Sequence, residues 1–314
     1  MKKGLILGVM VVAALFLFGC QQQEGPVAGP TFVGGTQALS MQFVEDAPPE
    51  EIFDGGNFPF AINVRMKNVG EWEIPAGADI RVKITGIDPA EYGVSPASLE
   101  KNPPQGMRST RRGADGEIIE GDTLVMDFTG LNFQRTLYGN IDTTLKAEAC
   151  YTYGTKFASN ICIKEDLSSS DSSICTVNEA KAVSNSGAPV HISSMRESQS
   201  GSQSVLLTFT LRHVGTGEIF EKGSQCSDDL VKENRVYLKV DTGMPGLQCQ
   251  LQNQAGQPLT GSEGYVTLYG GERQISCTQT TGGQGDFTKT VSATLEYDYE
   301  QFITKQITVK HIEN

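Results

Sequence analysis

The chain is poor in the residues that most chemistries need. It has one tryptophan and three histidines in 314 residues, and its 25 bases are outnumbered by 37 acids. The resulting charge of −12 argues against nucleic-acid binding, which needs a basic face to displace counterions. No Cys-x-x-Cys pair occurs, and His191, His213 and His311 are scattered, so the spacing expected of a zinc site is missing. His-Glu-x-x-His, Gly-x-Ser-x-Gly and Walker sequences are absent too. That removes any sequence warrant for a zinc protease, an α/β-hydrolase or a phosphate loop. There is no Asn-x-Ser/Thr sequon, so N-glycan shielding is not available. Beyond the N-terminus no long stretch carries a 3.6-residue amphipathic period. With 38% hydrophobic and 20% charged residues, the chain is neither a multi-span membrane protein nor a disordered one.

Glycine is abundant instead, at 35 residues, which favours turns and strands over helix interiors. The N-terminus has the plan of an export signal. Lys2 and Lys3 precede an apolar run from Leu5 to Phe18, shorter than the ~20 residues of a membrane span. Leu17-Phe18-Gly19-Cys20 resembles the lipobox of prokaryotic lipoproteins, with Phe18 where that motif has a small residue. The resemblance implies a signal helix over 1–19, cut before Cys20, and a lipid on Cys20 as the anchor. Gln21 to Pro26 begin a polar tether, placed at 20–37. Loss of Lys2 and Lys3 would take the formal charge to −14.

Six cysteines remain: Cys150, Cys162, Cys175, Cys226, Cys249 and Cys277. An even number in an exported chain reads as disulfides.

The chain also repeats itself. Phe60 to Gly70 matches Val205 to Gly215 without gaps at an offset of 145 residues, and Glu73-Ile74 continues onto Glu218-Ile219. Ala147, Tyr151, Tyr153, Ile161, Ile163 and Lys164 match Ala293, Tyr297, Tyr299, Ile307, Val309 and Lys310 at an offset of 146. Phe60, Ile62, Val64 and Met66 alternate with polar residues, as do Val205, Leu207, Phe209 and Leu211. This is the period of a half-buried strand. Further alternating runs at Ile80–Ile84, Leu124–Phe128, Val236–Val240 and Val266–Tyr269 are separated by Gly, Pro, Asn and Asp clusters. The pattern predicts an all-β chain of two tandem antiparallel Ig-like β-sandwiches. They are placed at 38–167 and 188–314, with a Ser-rich linker over 168–187.

Register suggests the disulfides. A hairpin over 147–164 centred near Lys156 would set Cys150 opposite Cys162. Cys249 and Cys277, both in strand-like stretches, form a second pair. Cys175 and Cys226 are left as the third by elimination.

The strand ending in Lys67-Asn68-Val69-Gly70, followed by Glu73-Ile74-Pro75-Ala76-Gly77 and a second strand, resembles the Ig-like modules of archaeal and bacterial surface proteins. The cell-adhesion-related (CARDB) type is the nearest. With the lipobox, this implies a lipid-anchored surface protein whose activity is adhesive or architectural.

Chemical candidates are few. Asp228-Asp229 and Asp298 with Glu300 are carboxylate pairs that acid–base work on sugars would need. Asp54-Gly55-Gly56-Asn57 and Asp115-Gly116-Glu117 offer calcium-type oxygens without full EF-hand spacing. Arg108, Arg111 and Arg112 form a basic cluster that could meet an acidic partner, and Trp72 could act as a binding anchor. Tyr151, Tyr153, Tyr297 and Tyr299 fit core positions. The expected protein is not an enzyme and needs no cofactor. It sits on the cell surface, holds the membrane through its lipid, and binds a surface protein or glycan. The alternatives are a self-associating subunit of an envelope assembly or filament, and a glycan hydrolase.

Overall fold

Alternation along the chain is converted directly into strands, because each run buries one face and leaves the other polar. A computed structural model describes residues 32–76, 80–168, 172–283 and 285–312. The signal, Cys20 and most of the tether lie outside them. The first half contributes β1 (Leu39–Phe43), β2 (Glu51–Phe53), β3 (Phe60–Asn68), β4 (Ile80–Thr85), β5 (Glu100–Lys101), β6 (Arg111–Arg112), β7 (Ile118–Ile119), β8 (Thr123–Leu131) and β9 (Ile141–Ile163). The second contributes β10 (Ala180–Lys181), β11 (Val183–Asn185), β12 (Val190–Gln199), β13 (Ser204–His213), β14 (Glu218–Phe220) and β15 (Arg235–Asp241). It ends with β16 (Leu247–Gln252), β17 (Pro258–Gly261), β18 (Glu263–Thr267), β19 (Glu272–Thr280) and β20 (Phe287–Lys310). The only helix among the described residues is a 3₁₀ turn at Pro96–Leu99.

Ile62, Val64 and Met66 of β3 are buried, as are Val205, Leu207, Phe209 and Leu211 of β13. The two halves repeat one ladder. β1–β3–β8 in the first is matched by β12–β13–β19 in the second. β4 lies on the edge of β9 as β15 lies on the edge of β20, with Ile80, Val82 and Ile84 buried in the one and Val236, Leu238 and Val240 in the other. The pairing is antiparallel except for β2, which runs parallel along the end of β20.

The halves are not separate beads. β9 and β20 pair along their whole length, from Ile141↔Val309 to Ile163↔Phe287. At the centre Thr152 faces Asp298, its own counterpart at the offset of 146, and Tyr151↔Tyr299 and Tyr153↔Tyr297 flank it. The joint is therefore symmetric about a pseudo-twofold through the Thr152–Asp298 pair. Sheet order runs β10-β12-β13-β19-β16-β18-β15-β20-β9-β4-β5 across both halves.

The expected hairpin at 147–164 does not exist, because the segment is one continuous strand. Within it, the missing side chain of Gly154 makes room for Trp72. A Cβ there would lie 2.7 Å from the indole Cδ2. Twelve residues of strand put Cys150 and Cys162 about 40 Å apart, far beyond bonding reach.

The Ser-rich segment at 168–187 also differs from a free linker. Its β11 adds to β9, pairing Val183 with Ser159 and Asn185 with Phe157. The end of the expected tether, from Phe32 onward, is tied in as well. The Glu71 carboxylate accepts N–H groups from Val33 (2.9 Å), Gly34 (2.8 Å) and Gly187 (2.7 Å).

One latch recurs in both halves. The Tyr153 hydroxyl donates to Asn68 Oδ1 (3.1 Å) and accepts from Trp72 N–H (3.3 Å). At the matching positions the Tyr299 hydroxyl meets His213 Nε2 (3.2 Å) and accepts from Gly217 N–H (2.6 Å). The Val-Gly turn beneath each is tight. A Cβ on Gly70 would lie 2.2 Å from the Tyr153 hydroxyl, and one on Gly215 2.4 Å from that of Tyr299.

Two outcomes follow from the latch. Gly70→Ala should destabilise the chain by about 1–3 kcal/mol through overpacking, read as a lowered urea midpoint at unchanged slope. Burial lowers the pKa of His213 from 6.5. The unfolded chain then takes up the proton first as pH falls. The His213 contribution is complete above about pH 6.5 and is lost below it, toward the lowered folded pKa. His213→Gln should flatten the fall in thermal midpoint across that window.

Candidate functional site

Where β9 meets β20, the loop between β14 and β15 folds over the outer face of the joint. Its N–H groups are collected by one carboxylate. Asp298, buried to 2% exposure, accepts Gly223 N–H (3.1 Å) and the Thr152 hydroxyl (2.8 Å) on Oδ1, and Gln225 N–H (2.7 Å) on Oδ2. Gln225 and Cys226 are consecutive non-glycine residues in the left-handed region, with φ of 56° and 51°. Such residues persist only where surrounding contacts over-determine them. Here those contacts are Asp298, the Arg81 guanidinium donating to Gln225 O (3.0 Å), and a disulfide from Cys226 to Cys150 on β9.

The bond Cys150–Cys226 therefore crosses from one half to the other and replaces both expected pairings that involved these residues. Cys162 bonds Cys175, fastening the 168–187 segment to β9. Glu197 sits beneath that corner, accepting Cys162 N–H (2.9 Å) and facing the Lys181 ammonium (3.1 Å). Burial raises the pKa of Glu197. Cys249 bonds Cys277 across directly paired positions of β16 and β19. Because Cys150 and Cys162 lie twelve residues apart on one strand, each takes a partner from elsewhere, Cys226 and Cys175, which therefore do not bond each other.

Two adjoining clefts open around the loop, of about 220 and 490 Å³, and share Arg81, Cys150 and Gln225. The larger also holds Lys83, Glu148, Asp228 and Glu300. Burial raises the Glu300 pKa, and neighbouring Glu148 and Glu218 add to it, while Lys146 and Arg81 oppose it. Asp228 and Glu300 thus reach one cleft. Asp298, the other half of the expected acid pair, borders the smaller cleft but is buried, with both oxygens engaged by the loop. Asp229 caps its own loop through Val231 N–H (3.1 Å).

The expected partner-contact residues separate. Arg108 is committed to Asp122, with contacts at 2.9 and 3.1 Å. The pair holds the arginine pKa up and the aspartate pKa down. Trp72 is half-buried against Gly154, with the Lys156 ammonium 5.9 Å from its ring centroid. Only Arg111 and Arg112 stand out, on an exposed two-stranded hairpin with Ile118 and Ile119. Of the calcium-type loops, Asp54 instead clasps the C-terminal end of the chain, accepting Leu137 N–H (2.7 Å), the His311 ring (2.8 Å) and Ile312 N–H (3.1 Å). These bonds lower its pKa. Asp115 accepts Glu117 N–H (3.4 Å) at the tip of the exposed hairpin. Among the described residues no group of three or more His, Cys, Asp or Glu is placed to hold a metal.

The three disulfides suit an extracellular or otherwise non-reducing location. No helix among the described residues is long and apolar enough to cross a membrane.

No protein-family model matches the chain, and no curated protein does. Among solved structures, the secreted serine protease VesC from Vibrio cholerae aligns at 8% identity and a TM-score of 0.18, covering 83% of this chain and 50% of its own. The chain thus spans about half the length of that protease chain. A chain of Sulfolobus Turreted Icosahedral Virus aligns at 9% identity and a TM-score of 0.15, covering 87% and 99%. Scores this low carry no inference about fold or activity.

Asp298→Asn replaces an acceptor oxygen by a donor that faces an N–H or a hydroxyl. It should cost about 2–3 kcal/mol and speed hydrogen exchange at 223–226, while the exchange of β3 and β13 amides changes only through global stability.

Proposed function

We propose that the chain is a lipid-anchored, extracytoplasmic binding and scaffolding protein, with two tandem Ig-like β-sandwiches held to the membrane through Cys20. The observation that carries this role is the full-length β9–β20 ladder, stitched across by Cys150–Cys226. It makes the two repeats one stiff body. A stiff body presents its loops at fixed spacing and loses little conformational entropy when a partner docks. The buried carboxylate at the joint, Asp298, is engaged in loop geometry rather than left free for acid–base work.

The second reading, a subunit of an envelope assembly, draws on the β6–β7 hairpin. Two-stranded ribbons are marginal alone, and this one exposes Ile118 (55%) and Ile119 (37%). Concentration-dependent sedimentation, abolished by Ile118→Thr with Ile119→Thr, would favour it.

The decisive test is metabolic fatty-acid labelling of the full chain in a lipoprotein-processing host. Label should enter the wild type and be lost in Cys20→Ser, which should also release the protein from the membrane fraction. Unlabelled wild type, or hydrolysis of a glycan panel abolished by Glu300→Gln, would overturn the proposal.

A further inference from the structure

The loop over the joint is an addition to one repeat. Ile74 and Ile219 match in the duplication, and β4 corresponds to β15. The first half joins them through residues 75–79, whereas the second takes residues 220–234. The fold therefore does not require the longer path. Yet the excursion is closed at its neck, where Glu221 N–H donates to Lys232 O (2.7 Å) and Asn234 N–H to Ile219 O (2.7 Å). Its middle is held by Cys150–Cys226 and by Asp298.

The tip of this loop is apolar where a turn is usually polar. Lys232 N–H donates to Asp229 O (2.8 Å), and Val231 N–H to Asp229 Oδ1 (3.1 Å). Leu230 and Val231 are thus the two central residues of a tight turn, places that favour Gly, Pro, Asn, Asp and Ser. They are 78% and 73% exposed. An exposed apolar patch with a polar rim marks an interaction surface, and a turn already braced has little entropy left to lose when it docks.

Charge around the tip selects the partner. Asp228 and Asp229, both exposed, precede the aliphatic pair, and Lys232, half-buried, follows it. Contact of the tip with itself would crowd aspartates together, and an anionic membrane surface would repel them. A matching surface must set an apolar group beside a cation. The β6–β7 hairpin does so. Arg112 lies directly opposite Ile118, so the two share one face of the ribbon, while Arg111 and Ile119 share the other. Alternation places Glu120 on the face of Ile118, where Lys67 neutralises it at 2.8 Å. That face therefore keeps the charge of Arg112. The opposite face carries Glu117 beside Arg111. Asp115, at the end of the ribbon, accepts the N–H of Glu117 (3.4 Å).

We propose that the Leu230–Val231 turn of one copy docks on the Arg112–Ile118 face of the hairpin of a second copy, with the aliphatic pair over Ile118 and Asp228 toward Arg112. The inference rests on the assembly reading above and supplies its second surface. The two surfaces differ, so the contact is heterologous: it extends into a chain unless its rotation closes a ring. A turn on a ribbon buries less than the ~1,200 Å² of standard interfaces, so the free protein should associate at about 100 μM.

Sedimentation of the full chain in mild detergent tests this, because the detergent disperses the apolar run Leu5–Phe18 equally in every variant. Leu230→Ser with Val231→Ser, and separately Ile118→Thr, should each weaken association about tenfold. The thermal midpoint should not change, since all three side chains are exposed. Mixing the two variants should restore one-to-one pairs, because one brings an intact hairpin and the other an intact loop. Arg112→Glu and Asp228→Lys should each weaken association, and the doubly substituted chain should recover to within about threefold. Failure of the mixture or of the charge exchange to recover would overturn the contact. If Ile118→Thr abolishes association and the loop variant does not, the contact falls and the assembly reading stands. No association at about 1 mM sinks both.

Discussion

Everything else in this molecule is arranged around the pairing of β9 with β20. Each strand is far longer than the usual five or six residues, and each exchanges its backbone bonds with the other from end to end. Unpaired, such a strand would present a long open edge, the feature that soluble β proteins most avoid. Paired, β9 is buried on both faces through much of its length, while β20 is buried on both faces only at its centre, Tyr297 to Tyr299. The shorter strands β4, β11, β15, β14 and β2 attach along its two outer margins. The tyrosines at its centre reach out to lock the Val-Gly turn of each repeat.

The constraint also explains where the covalent bonds fall. Two of the three disulfides start on β9, at Cys150 and Cys162; the first ties down a loop of the second half, the second the segment that joins the halves. Loop 221–232 needs such a tie, since it holds two left-handed non-glycine residues. Each conformation of that kind costs on the order of 1–3 kcal/mol. Asp298, Arg81 and Cys150 together offset it. The third bond, Cys249–Cys277, instead pins the end of the stretch where β16 still accompanies β19.

Much of this was legible in the residues. The alternation in Phe60–Met66 and Val205–Leu211 located two core strands, and the offsets of 145 and 146 located the duplication. The same alignment already set Asn68 against His213 and Tyr153 against Tyr299, so the latch was available to anyone who asked what those side chains share. Three things were hidden. A turn was expected near Lys156, where one strand runs on, and a sequence does not reveal that an indole will occupy the space of the missing side chain of Gly154. The pairing of β9 with β20 is a contact between repeats, and periodicity reports only which face of a strand is buried, not which strand lies beside it. The acid cluster at 298 and 300 looked chemical because a carboxylate that serves backbone N–H groups has the same letters as one that serves a substrate.

The symmetric joint has a consequence for how such a chain can vary. Two copies meeting at Thr152 and Asp298 have the geometry of an isologous dimer written into one polypeptide. In a true dimer, any change to one partner is imposed on the other at once. Fusion removes that obligation. The position facing Thr152 is free to become a carboxylate that gathers a loop on one side only. The asymmetry that distinguishes the second half is what a duplicated chain can acquire and an assembly of identical subunits cannot.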